Sequence, residues 1–248
     1  MITSQVILKP GREKSVKNRH PWIFSGAISR VEGDPSNGDV VDVWNSKARF
    51  VARGVYNPKS QIRVRLLSWN PNDTIDESFW RRRLRRAVAG RQMLIQAQET
   101  DAYRLVHAEA DGLPGLIVDQ YGTWLVVQFL SMAVERNRAK IIDTLVDLIG
   151  PQGIYERSDT DSREREGLVP IAGPVWGEVP PDLISITENG HTFNVDVKLG
   201  HKTGFYIDQR KNRKILTNYC QGKEILNAFA YTGGFSVYAA SAGAERII

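Results

Sequence analysis

The 248-residue sequence predicts an α+β fold in three parts: a small β-barrel over residues 1–70, a mixed α/β domain over 71–192 and the opening of a doubly wound sheet over 193–248. Three observations carry this reading. Short β-branched runs separated by turn dipeptides fill the first 70 residues. From residue 71 the pattern changes to amphipathic segments that alternate with strands. Near the C-terminus, Glu224-Ile-Leu-Asn-Ala-Phe-Ala-Tyr-Thr-Gly-Gly-Phe-Ser236 reads as strand, glycine turn and helix. An open α/β sheet uses that arrangement to aim backbone N–H groups at a nucleotide-like ligand.

In the first part, Val40–Trp44, Phe50–Tyr56 and Ile62–Leu67 are the strand-like runs, with Asn45-Ser46 and Asn57-Pro58 as turns between them. Ahead of them lies a basic segment, Leu8 to Phe24, whose Lys9, Arg12, Lys14, Lys17 and Arg19 are candidates for phosphate contacts. Trp22 and Phe24, beside Pro21 and Ile23, are expected in the core rather than stacked on a base.

The second part opens with Thr74-Ile-Asp-Glu77, read as a capping box for a long helix. Trp80, Leu84, Ala87, Val88, Leu94 and Ile95 form its buried face, while Arg81, Arg82, Arg83, Arg85 and Arg86 cover much of the rest. Such a guanidinium cluster suits phosphates, or equally the acids of a neighbouring element. Strands follow at Tyr103–His107, Leu116–Asp119 and Trp124–Leu130, then a helix from Ala133 to Ile149 and a short strand at Ile154-Tyr155. The stretch through Gly167 reads as a polar loop, Pro170 to Pro181 as an irregular connection, and Ile184 to Val197 as a hairpin turning at Asn189-Gly190. In the third part a helix is expected over Asp208–Tyr219, a central strand over Glu224–Phe229 and a helix over Phe235–Ala242 that stops at Gly243.

Composition bounds the function. The chain is 42% apolar and 25% charged, and no apolar run approaches the ~18 residues of a membrane span. No basic segment leads into an apolar stretch at the N-terminus, so a cytoplasmic setting is expected. The single Cys220 excludes an intramolecular disulfide and a cysteine-rich zinc site, and four scattered histidines supply no metal centre. Charge is uneven: residues 1–100 carry 18 Lys and Arg against 9 Asp and Glu, the remaining 148 carry 15 against 19. That asymmetry sets a polyanion, nucleic acid, against the N-terminal part; a solvated basic face without a partner is the bland alternative.

Gly233 and Gly234 permit backbone conformations and a ligand approach that a Cβ would forbid. The spacing is not Gly-x-Gly-x-x-Gly, and Phe229 and Tyr231 stand where a pyrophosphate needs room. A ligand without phosphates, such as S-adenosylmethionine, fits better. The segment Lys202-Thr-Gly-Phe-Tyr-Ile-Asp-Gln-Arg210 precedes the strand by one helix and can fold back over the same strand ends. Its Lys202, Asp208, Gln209 and Arg210 therefore join Asn227, Phe229, Tyr231, Thr232, Gly233 and Gly234 as candidate cofactor-binding residues.

Five ordered motifs carry a resemblance. They are Lys9-Pro-Gly-Arg12 with His20-Pro-Trp-Ile-Phe-Ser-Gly26, Glu109-Ala-Asp-Gly-Leu-Pro-Gly-Leu-Ile-Val-Asp119, Tyr155-Glu-Arg-Ser-Asp159, Lys202–Arg210 and Asn227–Ser236. Together they resemble the class I S-adenosylmethionine-dependent methyltransferases that make 5-methylcytosine in large-subunit (23S) ribosomal RNA. The resemblance implies a PUA-like RNA-binding β-barrel, a central α/β domain and the start of a Rossmann-like class I methyltransferase domain. It implies S-adenosyl-L-methionine as cofactor and ribosomal RNA as partner, no membrane, and leaves a homodimer open. Lys9, Arg12, Lys14, Lys17 and Arg19 with Arg82, Arg83 and Arg86 would then hold the RNA backbone.

Members of that family continue through a ribose-binding acid and a catalytic cysteine, neither of which is found by Ile248. The chain is accordingly expected to be an N-terminal fragment, inactive alone, with no catalytic residue of its own. Cytosine C5 methylation needs a thiolate to attack C6. Cys220 sits between a helix end and a strand, away from the strand tips, and is expected to be a small buried side chain. Two rivals are a non-catalytic RNA-binding module and a nicotinamide-dependent oxidoreductase; the glycine spacing speaks against the latter.

Overall fold

The computed structural model describes residues 4–97 and 99–248. Apolar alternation in the first part resolves into six strands: β1 (Gln5–Leu8), β2 (Trp22–Phe24), β3 (Ile28–Glu32), β4 (Val40–Trp44), β5 (Phe50–Tyr56) and β6 (Ile62–Ser68), with a short helix α1 (Glu13–Lys17) after β1. They form one sheet in the order β2-β6-β5-β4-β1-β3, antiparallel apart from the parallel pair β1–β4. Val6, Leu8, Ile23, Val41, Val43, Ala52, Val64 and Leu66 point to one side and close over Val16 of α1. Trp22 and Phe24 depart from the expected core. Trp22 is half-buried, its Nε1 donating to Glu109 Oε1 at 2.8 Å, and Phe24 is exposed. Strand alternation places Ile23 inward, so its two neighbours must face outward.

Two helices follow where one was expected, α2 (Glu77–Ala89) and α3 (Gln92–Gln96), interrupted at Gly90-Arg91. The cap also differs: Asp76, not Thr74, accepts from the Phe79 N–H at 2.9 Å. Arg91 explains the interruption. It grips both carboxylate oxygens of Asp111 at 2.7 Å and donates to the carbonyls of Ala87 and Arg104.

The central sheet holds β7 (Ala102–His107), β8 (Leu116–Tyr121), β9 (Trp124–Phe129), β10 (Gly153–Ser158) and β11 (Ile171–Gly177), in the order β11-β10-β9-β8-β7. Helices α4 (Met132–Glu135) and α5 (Arg138–Ile149) form the crossover between the parallel β9 and β10. On one face α2 and α5 bury Trp80, Leu84 and Leu145 against Leu105, Val118 and Val127. On the other, Tyr121, Trp124 and Val126 pack under a hairpin, β12 (Ile184–Glu188) and β13 (His191–Val195). Cover on both faces accounts for the near-continuous apolar runs of β8 and β9. The hairpin turns at Asn189 (φ 48°) and Gly190 (φ 82°), the left-handed pair that a tight hairpin demands.

Two other expectations fail. Residues 171–177 form an edge strand, not an irregular connection; Pro174 is tolerated there because one side of an edge needs no N–H donor. The supposed polar loop before it contains helix α6 (Asp161–Glu164) and two buried charges, Arg163 and Glu166. Arg163 donates to Phe129 O and Glu135. Glu166 accepts from Asn57 Nδ2, from Ser60 Oγ at 2.6 Å and from Arg65 Nη2 at 2.9 Å, which joins the N-terminal sheet to the central domain.

The last part holds a helical stretch, α7 (Arg210–Leu216) flanked by 3₁₀ turns over 207–209 and 217–219. Then come β14 (Glu224–Ile225), α8 (Gly234–Ser241) and β15 (Arg246–Ile247), with β14 and β15 parallel. The expected strand over 224–229 is cut to two residues because its ladder partner is two residues long. Beyond it only the Asn227 N–H pairs, with Ile248 O at 2.8 Å. The boundary expected between residues 192 and 193 falls inside β13. Among the described residues no helix is long and apolar enough to cross a membrane.

Candidate functional site

The turn between β14 and α8 holds the densest backbone strain. Phe229 (φ 61°) and Tyr231 (φ 51°) are left-handed, as is Lys202 (φ 60°) in the facing segment. Such conformations persist in large side chains only where surroundings impose them, and they gather at ligand sites. Gly233 (φ 73°) is the N-cap of α8, and a Cβ there would meet no atom within 4 Å. There is thus open space beside Gly233, whereas at Gly234 the Arg213 side chain lies within 3.2 Å of where a Cβ would stand.

The segment from His201 to Gln209 does fold back over this turn. The His201 N–H donates to Tyr231 Oη at 2.9 Å, and Tyr231 Oη donates to Gly204 O at 3.1 Å. The His201 ring stacks on Tyr231 with centroids 4.5 Å apart, and Tyr206 meets the same ring edge-on. Between the two segments lies a cleft of about 440 Å³ lined by Tyr206, Gln209, Arg213, Tyr231, Thr232 and Phe235, among others. Phe229 is fully exposed at its mouth.

Its floor is built from buried polar groups. Arg213, 2% exposed, donates to both oxygens of Glu188 at 2.7 Å and lies over the Phe205 ring. Tyr238 Oη donates to Glu188 Oε1 at 3.0 Å and accepts from Asn189 Nδ2, and burial pushes its hydroxyl up to about 12. Beneath the facing segment, the Phe205 N–H donates to Tyr121 Oη, Tyr121 lies 2.9 Å from Thr203 Oγ1, and Thr203 donates to Asp119 Oδ2. Burial, then the Asp119 charge, raises the Tyr121 hydroxyl, so it stays a neutral donor. Asp119 in turn is held by Arg104 through two bonds of 2.7 and 2.9 Å.

The candidates are therefore distributed over two places. Gln209, Phe229, Tyr231, Thr232 and Gly234 line the first cleft, with Gly233 at the start of α8 beside it. Lys202, Asp208 and Arg210 line a neighbouring cleft of about 780 Å³ with Tyr103, Arg104 and His107. Asn227 lines neither; its Nδ2 donates to Ser236 Oγ at 2.7 Å and braces the turn from behind. Sequence reasoning missed His201, Tyr206, Arg213 and Phe235. Arg213 was hidden among the basic residues of its helix, since nothing local distinguishes a buried arginine from a wet one.

The basic candidates are equally divided. Arg12, Lys14, Lys17 and Arg19 are exposed around α1, while Lys9 Nζ is tied to Gly26 O at 3.0 Å. Arg19 lies over Trp69, its guanidinium carbon 5.0 Å from the ring centroid. On α2, Arg81 pairs with Asp147 and Arg82 with Ser78 Oγ, whereas Arg85 and Arg86 are exposed. Arg83 donates to Leu67 O and lies over Phe79, and burial lowers its pKa. Cys220 is buried and its S–H donates to Leu216 O at 3.2 Å, as expected of a structural thiol.

Comparison with known proteins agrees with this architecture. A family model described as a PUA-like domain matches residues 6–69, and one described as an S-adenosylmethionine-dependent methyltransferase matches residues 172–248. The chain is 48% identical over 244 residues to ribosomal RNA large subunit methyltransferase I of Shewanella frigidimarina, covering 98% of this chain. It is 47% identical to the protein of that name from Tolumonas auensis and 44% identical to that of Escherichia coli K12, each over 100% of this chain. In all three cases it spans 62% of the relative's length. Among solved structures, a chain from Streptococcus mutans assigned as a SAM-dependent methyltransferase superimposes with a TM-score of 0.83 at 24% identity. SMU.776, assigned as a methyltransferase and complexed with SAH, gives 0.84 at 24%. Both alignments cover 100% of this chain and 62% of the other. The chain thus joins a PUA-like domain to the fold of the S-adenosylmethionine-dependent methyltransferases, with S-adenosylmethionine the cofactor of that fold.

Proposed function

We propose that the protein transfers a methyl group from S-adenosylmethionine to carbon 5 of a cytosine in large-subunit ribosomal RNA, in the cytoplasm. The observation that carries this is the strained turn at Phe229–Gly234 facing the His201–Gln209 segment across an aromatic cleft. Three features fit the methyl donor. The cleft is of ligand size. Its walls offer aromatic faces to a sulfonium and an apolar chain. The N-terminus of α8, next to Thr232 and the open space at Gly233, suits a carboxylate. Phe229, Tyr231, Thr232, Gly233 and Gly234 would hold the methionine end, and Gln209 would close the cleft. When bound, the donor supplies an electrophilic methyl group. Support for the RNA substrate comes from the names of the relatives and from the exposed cations around α1 and α2.

C5 methylation requires a thiolate at C6, and Cys220 does not supply it: the thiol is enclosed and engaged with Leu216 O. This favours a second reading for these 248 residues taken alone, an RNA-binding module without turnover. Two experiments decide. Calorimetric titration of S-adenosylhomocysteine should show binding that Tyr231→Ala weakens at least tenfold; the absence of heat with the unmodified chain would sink the donor assignment. Mass spectrometry of large-subunit RNA from cells lacking the gene should show the loss of one 5-methylcytosine. Loss of a methyl group on another base or atom would correct the target, and an unchanged RNA would leave only the binding module.

A further inference from the structure

Beyond the two clefts already described there is a third, of about 660 Å³, at the junction of the N-terminal sheet and the central domain. Arg19, Trp69, Arg86 and Pro114 stand in its wall. The three are neighbours. The junction cleft shares Gly90 and Arg91 with the 780 Å³ cleft, which shares Phe205 and Tyr206 with the aromatic one. The interruption between α2 and α3 lies where the first two meet, and the three adjoining clefts together are taken as one trench with Gly90-Arg91 as its saddle. A continuous helix would carry a further turn of side chains across it.

The charges along the trench are unequal in kind. Arg91 and Arg104 are neutralised in place by Asp111 and Asp119. Arg86, Lys202 and Arg210 have no acid within ion-pair distance among the described residues, and Arg210 Nη1 is buried without an acceptor among them. The acids that face the trench are mostly engaged: Glu109 by Arg65 and Trp22, and Asp111 by Arg91. Asp208 alone is paired with no cation and takes only a bond from Gln209. The trench therefore sets Arg86, Lys202 and Arg210 against one unpaired acid, Asp208, with the half-buried rings of Trp69 and Tyr206 among them.

We propose that this trench is the path of one single-stranded RNA segment, running from Arg19 and Arg86 over the Gly90-Arg91 saddle, past Lys202 and Arg210, to the aromatic cleft. The proposal rests on the reading of the protein as an RNA methyltransferase and names the route and form of its substrate. Cations that meet phosphates, alternating with aromatic faces that meet bases, are the requirements of an unpaired strand. A duplex keeps its bases stacked inside and cannot enter clefts of this size.

Fluorescence anisotropy with a labelled single-stranded oligoribonucleotide of roughly 12 nucleotides tests this. Arg86→Glu and Arg210→Glu should each weaken binding by about fivefold or more. Each should also flatten the dependence of log Kd on log salt by about 0.7, the signature of one lost phosphate contact. Arg30→Glu, on the exposed β3 and outside the trench, should bind as the unmodified chain does. A duplex of the same sequence should bind more weakly than the single strand. Unchanged circular dichroism and thermal midpoints establish that the variants fold. Single-strand binding that ignores both trench substitutions, or that falls equally with Arg30→Glu, overturns the route, and tighter duplex binding overturns the form. Failure of the unmodified chain to bind any RNA would instead overturn the RNA reading beneath both.

Discussion

Arg213 is held by Glu188, by the carbonyl of Tyr206 and by the rings of Phe205 and Phe235, so one side chain ties the hairpin, the facing segment and α8 together. Removing one member of a buried pair leaves the other charge uncompensated. Arg213→Leu should lower stability in urea by about 3–5 kcal/mol and weaken S-adenosylhomocysteine binding. Arg213→Leu combined with Glu188→Leu should recover part of the stability but not the binding, and equal recovery of both would deny Arg213 a place in the cleft. Cys220 makes the opposite case. Cys220→Ala should cost about 1 kcal/mol and leave cofactor affinity unchanged, and the native thiol should resist Ellman's reagent. Rapid labelling would show that the enclosure of Cys220 is incomplete. At this scale the sequence was only half legible. The glycines and aromatics of 229–234 announced themselves, but the ion pair beneath them joins residues 25 apart and leaves no local trace.

Among the elements, those whose information is local were readable. The Asn189-Gly190 hairpin is an example, because left-handed conformations at two adjacent positions are a property of those residues. Gly190→Ala should destabilise by about 1–2 kcal/mol through backbone strain alone, since a Cβ there meets nothing within 4 Å. A loss larger than that, measured by thermal denaturation, would point to a contact the hairpin tip does not make. Elements that depend on distant partners were misread. The strand at 171–177 forms against the Pro and Gly of its own sequence because β10 offers it a ladder. The long helix divides because Arg91 finds Asp111. Trp22, turned outward by strand alternation, is held there by Glu109, 87 residues away, which accepts its indole N–H. Periodicity predicts which residues turn inward and says nothing of what an outward one will meet.

For the molecule as a whole, acid sensitivity is set by carboxylates clamped by arginine. Asp111, against the opposing effect of burial, is held below the usual carboxylate range by Arg91, and Glu135 likewise by Arg163 and Arg138. Both bind a proton less readily folded than unfolded. Their contribution is therefore complete above the unfolded values, near pH 4, and is lost as pH falls through the folded ones. The thermal midpoint should drop below about pH 4, and less steeply in Asp111→Asn, which will already be weaker at neutral pH. An identical slope in the variant would remove Asp111 from the account.

Glu166 bears on how the chain assembles. Its partners, Asn57 and Ser60 of the turn between β5 and β6 and Arg65 of β6, are made about 100 residues earlier. Until the N-terminal sheet docks, the central domain would have to bury an uncompensated acid, and until the central domain arrives the sheet carries Arg65 without Glu166 and Glu109. Neither half is at its energy minimum without the other, and Val55 and Leu67 of the sheet also pack into the central core, so the two should melt as one cooperative unit. A single calorimetric transition is the expected trace, and Glu166→Gln should divide it in two.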